Sequence, residues 1–204
     1  MKKILNNTIK MGILALLLFP MMSFKNEPQK PIDGNSKIQW LTIEEAYKRW
    51  QKEPRKFVID VYTDWCGWCK VMDKNTFMNQ TVADFVNRSY YPVKLNAEQR
   101  ADITLGTQVY KFVDNGQGGG VHQLGASLLN NQLSYPTVVF LDEKMGMIQP
   151  VPGYRDALEF HQLLTYFQGN YNRIEQFDKY KTETYLQIYA TTKPVVEAVK
   201  EAGH

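Results

Sequence analysis

Cysteine and histidine are both scarce in this chain of 204 residues. The two cysteines, Cys66 and Cys69, lie in one C-x-x-C motif, and a ring that short cannot join distant parts of the chain. This excludes a small fold held together by disulfides. No two of the three histidines lie at the spacing of zinc ligands, so we expect no metal site. The cysteine pair is therefore free for redox chemistry, with an inert structural disulfide as the alternative.

Beyond its first 23 residues, the chain also lacks an excess of charge of either sign. The chain holds 24 basic and 21 acidic residues, but Lys2, Lys3 and Lys10 lie in the first 23 residues, which contain no acid. The remainder balances at 21 basic against 21 acidic residues, and a chain near neutrality gives no electrostatic case for binding nucleic acid. No glycine-rich phosphate loop follows a predicted strand, so we expect neither a nucleotide nor a flavin site.

The apolar run from Met11 to Met22 is short for a membrane-spanning helix. Basic residues precede it and Ser23 follows it, a pattern that is typical of a signal peptide over residues 1–23. Residues 24–37 are mostly polar and contain prolines and a glycine, which predicts a linker. A signal peptide implies export to an oxidising compartment, and an uncleaved membrane anchor is the alternative.

Hydrophobic periodicity predicts alternating helices and strands beyond the linker. Thr42 and Glu45 match a capping box, and the helix that begins there ends before Pro54. The apolar, β-branched run Phe57–Tyr62 predicts a buried strand that leads directly into the cysteine motif. Further strands are predicted at 91–96, 136–141 and 147–151, and further helices at 71–78 (broken near Asn79), 81–87, 121–131 and 156–168, the last amphipathic.

Residues 99–134 and 170–204 lie outside the elements of a minimal fold. In the first segment, residues 103–113 predict a hairpin that turns at Gly106 and the residue after it, and the glycines of 115–120 predict a flexible loop. The second segment has aromatic residues at helical spacing. We expect these aromatic residues to pack on the protein's own core, and a surface for a partner or a second copy is the alternative.

The cysteine motif lies where a predicted strand gives way to a helix. Unpaired N–H groups and the dipole at a helix N-terminus favour a thiolate, which is the species that attacks disulfides. Cys66 is nearer that end and is predicted to attack the substrate. Cys69, one turn into the helix, is predicted to be more buried and to resolve the mixed disulfide.

The stretch 57–70, with the sequence FVIDVYTDWCGWCK, resembles the strand, motif and helix of the thioredoxin family. The resemblance covers residues 38–168 and implies an α/β, thioredoxin-like fold with a central mixed sheet flanked by helices. An inserted hairpin before the cis-proline and a C-terminal helical extension are expected in addition. The predicted domain is 38–169, with 99–134 as its insertion and 170–204 as its extension.

The same resemblance implies roles for residues around the cysteine pair. Asp60 corresponds to a buried acid that helps the resolving cysteine lose its proton, and Lys94 to the lysine beside that acid. Tyr135 and Pro136 correspond to the loop whose cis-proline lies against the disulfide and whose backbone pairs with substrate. Gly153 corresponds to a glycine that lines the binding groove. The predicted shell of the motif itself consists of Trp65, Gly67, Trp68 and Lys70.

Trp68 departs from the family pattern, which usually has a proline at this position. Residues between the cysteines tune the reduction potential, and Trp68 lacks the charge with which a histidine stabilises the thiolate in strong oxidants and isomerases. The indole either offers an aromatic surface to partners or packs against the motif helix. We therefore predict a thiol–disulfide oxidoreductase that reduces protein disulfides, with an oxidase or isomerase as the alternative.

The predicted partners are protein thiols and disulfides, together with a membrane protein that donates electrons. The signal peptide and the large insertion resemble those of exported thioredoxin-like proteins common in Bacteroidetes-type bacteria, which implies a periplasmic location. We expect the redox-active disulfide to work without a further cofactor. A non-enzymatic binding module on a thioredoxin scaffold is the remaining hypothesis, and the intact C-x-x-C argues against it.

Overall fold

The computed structural model describes residues 37–189. The predicted signal peptide (1–23), nearly all of the predicted linker (24–37) and residues 190–204 of the predicted extension lie outside the described residues. Within residues 37–189, no helix has both the length and the apolar character that crossing a membrane requires.

The described elements alternate much as the periodicity predicts, and each is bounded by the residues that follow. In chain order they are α1 (Ile43–Trp50), β1 (Phe57–Tyr62), α2 (Gly67–Met72), a π-helical segment (Asp73–Phe77), α3 (Gln80–Ser89), β2 (Tyr91–Asn96), β3 (Ile103–Leu105), β4 (Gln108–Tyr110), β5 (Phe112–Asp114), β6 (Gly120–His122), α4 (Gln123–Leu128), β7 (Thr137–Leu141), β8 (Met147–Pro152), α5 (Ala157–Gln168), a 3-10 turn (Tyr171–Arg173), α6 (Phe177–Lys179), a second π-helical segment (Tyr180–Thr184) and α7 (Tyr185–Tyr189).

Four of the strands form the central sheet, in the order β2-β1-β7-β8. β1 pairs with β2 in parallel and with β7 antiparallel, and β8 pairs antiparallel with β7, so the sheet is mixed. β1 is an inner strand with apolar side chains on both faces, which explains its nearly continuous hydrophobic run. The predicted mixed α/β fold is confirmed.

The two faces of the sheet are covered by different helices, and the alternation along β1 decides which residue meets which layer. Phe57, Ile59 and Val61 belong to the core layer that α1 and α4 cover. Val58 belongs to the other layer, together with residues of the motif helix, α3 and α5. Asp60 shares the face of Val58, so the sequence places a carboxyl group on the side of the cysteine motif.

Helix ends follow the capping rules that the sequence predicts. Thr42 and Glu45 form the expected capping box at the start of α1. α2 continues through the π-helical segment and ends before Asn79, whose side chain accepts the N–H of Val82 at 3.1 Å and caps α3. The predicted break near Asn79 is therefore confirmed.

The insertion contains two hairpins, where one was predicted. The first, β3–β4, turns at Gly106 as expected, with a positive φ of 61° that favours glycine. The second, β5–β6, is closed by the loop that was predicted to be flexible, and there the Asn115 side chain accepts the N–H groups of Gln117 and Gly119. Its strands of three residues are too short for alternation to reveal them. For the same reason the helix predicted from Val121 begins only at Gln123.

α5 is buried nearly all round, where an amphipathic helix was predicted. The extension returns across the face that would otherwise meet water, and Tyr180 and Tyr185 are fully buried against it. The Tyr180 hydroxyl donates to Thr165 Oγ1 at 2.9 Å, and the Tyr185 hydroxyl lies 2.9 Å from His161 Nδ1. The extension up to Tyr189 thus packs on the protein's own core, through several short helical segments.

A buried lysine closes the C-terminal end of α5. Lys56 is 1% exposed, and its ammonium group donates to the carbonyl oxygens of Phe167 and Gln168 at 2.6 and 3.2 Å and to Asn170 Oδ1 at 2.8 Å. These carbonyls are among those that the helix cannot satisfy itself. The residue before β1 therefore ties the central strand to the helix that covers it.

Candidate redox site

A disulfide bond joins Cys66 and Cys69 at the start of α2, with a Cα–Cα distance of 5.3 Å. Cys66 occupies the N-cap position, and its sulfur accepts the backbone N–H of Cys69 at 3.1 Å. A hydrogen bond from the first turn of a helix stabilises negative charge on a sulfur. This position gives Cys66 the environment that was predicted for the attacking cysteine.

Cys69 was predicted to be more buried than Cys66, but in this disulfide form the two differ very little. Cys66 is 4% exposed and Cys69 is 3% exposed. The covalent bond holds the two sulfur atoms side by side, so the same surroundings shield both. Their positions on the helix, and not their exposure, distinguish them.

A cluster of two carboxylates and one ammonium group joins the strand before the motif to the helix after it, and we call it the ion cluster: Asp60, Asp73 and Lys94. The parallel register of β1 and β2 places Asp60 opposite Lys94, and Lys94 Nζ lies 2.6 Å from Asp60 Oδ2. Lys94 Nζ also bonds to Asp73 Oδ1, four residues after Cys69. Asp60 is 1% exposed, and its Oδ1 has no hydrogen-bond partner among residues 37–189.

The ion cluster shifts the protonation of its members. Burial raises the pKa of Asp60 to about 6, and the positive charge of Lys94 opposes this only in part, while Asp73 adds to it. Burial works to lower the pKa of Lys94, but its contacts with Asp60 and Asp73 outweigh burial and raise that pKa above its usual value. A carboxyl group with a pKa near 6 can exchange a proton near neutral pH.

An aromatic recess adjoins the motif, with a volume of about 270 Å³. The Tyr135–Pro136 peptide bond is cis, as the resemblance implied, and the N–H of Gly153 donates to the Pro136 carbonyl at 2.8 Å. Gly153 has a φ of 90°, a conformation that side chains other than glycine rarely adopt. Tyr154, which the sequence analysis missed, packs its ring 5.6 Å from that of Trp68. The recess is lined by Trp68, Tyr135, Pro136, Gly153 and Tyr154.

Both tryptophans of the motif are largely exposed, Trp65 by 67% and Trp68 by 63%. Trp65 also meets Tyr135 edge to face, and its indole N–H donates to the carboxylate of Glu98 at 3.0 Å. Glu98 was missed because nothing in the sequence around it signals a contact with a residue 33 positions earlier. Trp68 therefore offers an aromatic surface and contacts Tyr154 as well.

Two other residues of the predicted shell are placed differently. Gly67 is exposed, and a Cβ atom there would meet nothing within 4 Å, so no close approach requires glycine. Lys70 is exposed and lines a groove that it shares with Lys94, whereas the residues around Pro136 form a separate recess. Within the described residues, no group of three or more histidine, cysteine, aspartate or glutamate side chains is arranged to hold a metal ion.

The mixed sheet, the disulfide at the start of its motif helix and the neighbouring cis-proline define a thioredoxin-fold protein with a Cys-Gly-Trp-Cys pair. A sequence model of one family within this class matches residues 28–182, which is more than half of the chain. The chain belongs to that family, Thioredox_DsbH, described as a protein of unknown function, DUF255.

Curated relatives match over short segments. The chain is 27% identical over 87 residues to the uncharacterized protein B0495.5 of Caenorhabditis elegans, a match that covers 42% of this chain and 12% of that protein. It is 28% identical over 116 residues to spermatogenesis-associated protein 20 of Homo sapiens, covering 56% of this chain and 14% of the relative. The matches thus span about one eighth of the length of these relatives.

Parts of the chain are also similar to solved structures. A structure described as DsbH Oxidoreductase is 16% identical with a TM-score of 0.49, and the match covers 71% of this chain and 92% of that one. A putative disulphide-isomerase from Bacteroides thetaiotaomicron is 23% identical with a TM-score of 0.44, and the match covers 73% of this chain and 94% of that one.

Proposed function

We propose that this protein is an exported thiol–disulfide oxidoreductase that reduces protein disulfides through Cys66 and Cys69. The observation that carries the proposal is a single arrangement. A disulfide lies at the start of a helix, the strand that leads into it carries a buried carboxyl group with a pKa near 6, and Trp68 of the motif lines an open aromatic recess. An inert structural disulfide would require neither the carboxyl group nor the recess.

The first step begins from the reduced protein. The Cys66 thiolate attacks one sulfur of a substrate disulfide, and a new S–S bond forms while the substrate bond breaks. The other substrate sulfur leaves as a thiolate and takes up a proton from water. The N–H of Cys69, which donates to Cys66 Sγ in the disulfide form, is placed to stabilise the attacking thiolate.

The second step releases the substrate. Cys69 loses its proton and attacks Cys66 Sγ, so that the Cys66–Cys69 disulfide forms and the second substrate sulfur leaves as a thiolate. Asp60 is the proposed acceptor for the Cys69 proton, directly or through water, because its pKa of about 6 permits a proton to be taken up and released near neutral pH. Lys94 holds one oxygen of Asp60, which leaves Oδ1 as the atom that would take the proton.

The recess supplies the proposed substrate contact. An extended substrate segment would pair with the backbone at Tyr135, beside the cis-proline, while Trp68 and Tyr154 cover its side chains. We expect a substrate bound in this way to present its sulfur to Cys66, and the proposed reaction uses no further cofactor. The composition of residues 1–23 supports export, and a membrane protein that supplies electrons would regenerate the dithiol.

Single-cysteine variants test the exchange reaction. Cys69→Ser is expected to accumulate a mixed disulfide between Cys66 and a peptide disulfide, seen by mass spectrometry, because the resolving thiol is missing. Cys66→Ser is expected to form far less of it. If both variants bind a partner as well as the unaltered protein and neither exchanges disulfides, the protein is a binding module on a redox fold.

The direction of electron flow is tested by the reduction potential of the cysteine pair, equilibrated against dithiol buffers. A value near or below about −250 mV supports the reductase. A value above about −180 mV contradicts it and favours an oxidase or isomerase. Mass determination of the protein recovered from its native host tests export, since cleavage after residue 23 would remove the basic, apolar leader.

A further inference from the structure

A second concavity, of about 510 Å³, lies beside the ion cluster, and we call it the lysine groove. Lys94 and Asp73 line it, whereas no residue of the aromatic recess does. Its volume falls in the range of sites that bind small molecules. The exchange reaction proposed above makes no use of it.

The floor of the lysine groove is apolar and partly aromatic. Trp40 and Phe77 meet edge to face with ring centroids 5.1 Å apart, and Ile38 lines the groove beside them. Met78 completes the floor and is 62% exposed. Ile38 and Phe77 are themselves buried, so a ligand on this floor would cover mainly the exposed surface of Met78 and the half-buried Trp40.

The rim of the groove carries three exposed lysines. Lys37, Lys70 and Lys74 are all exposed, and none of them forms an ion pair within residues 37–189. Among residues 37–189, Asp73 is the one carboxylate that lines the groove, and it is already bound to Lys94. Three exposed ammonium groups around one apolar floor are complementary to an anion with an apolar body.

We propose that the lysine groove binds a small amphipathic carboxylate. The apolar body lies on Trp40, Phe77 and Met78, and the carboxylate lies among the ammonium groups of Lys37 and Lys74. A single alkyl or aryl chain fits the groove volume of about 510 Å³. A lipid bilayer presents a broad surface, which does not fit into a concave site. The proposal concerns binding alone, so it stands or falls separately from the exchange activity.

Octanoate is the probe for this site, titrated into the full, oxidised chain and followed by ¹H–¹⁵N NMR. We expect saturable shifts of the Trp40 indole N–H, whose resonance is identified with a Trp40→Phe variant. Octanol lacks the charge and acetate lacks the apolar body, so both are expected to bind at least about tenfold more weakly than octanoate. Binding to phosphatidylglycerol vesicles is measured as well, to distinguish a site for a free carboxylate from a site for an anionic lipid surface.

Charge reversal on the rim tests the contribution of the lysines. The double variant Lys37→Glu, Lys74→Glu is expected to weaken octanoate binding about tenfold, because both side chains are exposed and reversal adds repulsion to the loss of attraction. Lys144→Glu is the matched control. It changes an exposed lysine in the turn between β7 and β8 that does not line the groove, and it should leave the affinity unchanged.

Several results would overturn the proposal. They are an octanoate titration without saturation, octanol binding as tight as octanoate, equal weakening by the rim and control variants, and tight binding to vesicles without binding of octanoate. Shifts confined to Trp65 and Trp68 would also overturn it, because they would place the apolar ligand at the redox face. None of these results depends on whether the protein exchanges disulfides.

Discussion

Replacing Asp60 by asparagine should make the oxidised protein more stable at neutral pH while slowing disulfide exchange. The carboxyl group is almost completely buried, and one of its oxygens has no hydrogen-bond partner among the described residues. An amide of nearly the same shape removes the buried negative charge. Lys94 keeps its second carboxylate, Asp73, so no unpaired ammonium group is left behind.

The size of the effect follows from the pKa of Asp60. Burial raises this pKa from 3.8 to about 6, so between these values the unfolded chain releases the proton while the folded protein keeps it. The free energy of unfolding therefore falls as the pH rises through this window and stays lower above it. At 1.36 kcal/mol per pH unit, the accumulated cost near neutral pH is about 3 kcal/mol. Asp60→Asn should regain most of this near neutral pH and little of it near pH 4.

Urea unfolding of the oxidised protein at both pH values measures the effect, with Asp102→Asn as the control because that carboxylate is exposed. Asp60→Asn should also slow the reduction of a peptide disulfide. In a plot of that rate against pH, the step near pH 6 should disappear. A gain that is equal at both pH values, or a loss of stability near neutral pH, would refute the reasoning. An equal gain would mean that the effect does not come from ionisation of Asp60, and a loss would mean that the ion pair with Lys94 outweighs the cost of burial.

Three further perturbations test other parts of the structure. Lys56→Met should lower the free energy of unfolding by about 1–3 kcal/mol in urea titrations, because carbonyl groups at the end of α5 lose their hydrogen-bond donor. Lys52→Met is the control, and because Lys52 is exposed it should change the free energy of unfolding little. Burial lowers the pKa of His161 to about 4, so between about pH 6.5 and pH 4 the unfolded chain takes up a proton that the folded protein does not. The free energy of unfolding should therefore fall by up to about 3 kcal/mol as the pH falls through this range. His161→Phe should remove this part of the pH dependence. Tyr154→Ala should lower kcat/KM for a peptide disulfide several-fold and leave the reduction potential unchanged, because it removes one wall of the recess and does not alter the cysteines. A changed reduction potential would contradict a role of Tyr154 in substrate binding.

Much of the central fold could be predicted because its signals are local. The run Phe57–Tyr62 is confirmed as a strand to the residue, and the capping box at Thr42 is confirmed as the start of α1. Helix ends depend on hydrogen bonds that span three or four residues, and a strand between two layers must be apolar on both faces. The thioredoxin fold itself was implied by the resemblance of residues 57–70 to that family.

The second hairpin and the burial of α5 could not be predicted. β5 and β6 have three residues each, and their pairing joins Phe112 to His122 across a loop. The periodicity of α5 predicted one polar face, but Tyr180 and Tyr185 return from beyond its end to cover that face. Contacts between segments far apart in the chain produce no periodic spacing of hydrophobic residues in either segment, so the sequence does not reveal them.

The sequence by itself determined where the cysteines lie, on which face of β1 Asp60 falls and that a proline precedes β7, because each depends on residues close together in the chain. Only the tertiary structure decided that Asp73 shares Lys94 with Asp60, that Tyr154 lines the recess beside Trp68 and that both cysteines are buried. These properties arise from the packing of a helix, a sheet and a loop against one another. The distances between their side chains are fixed by the shape of the whole core.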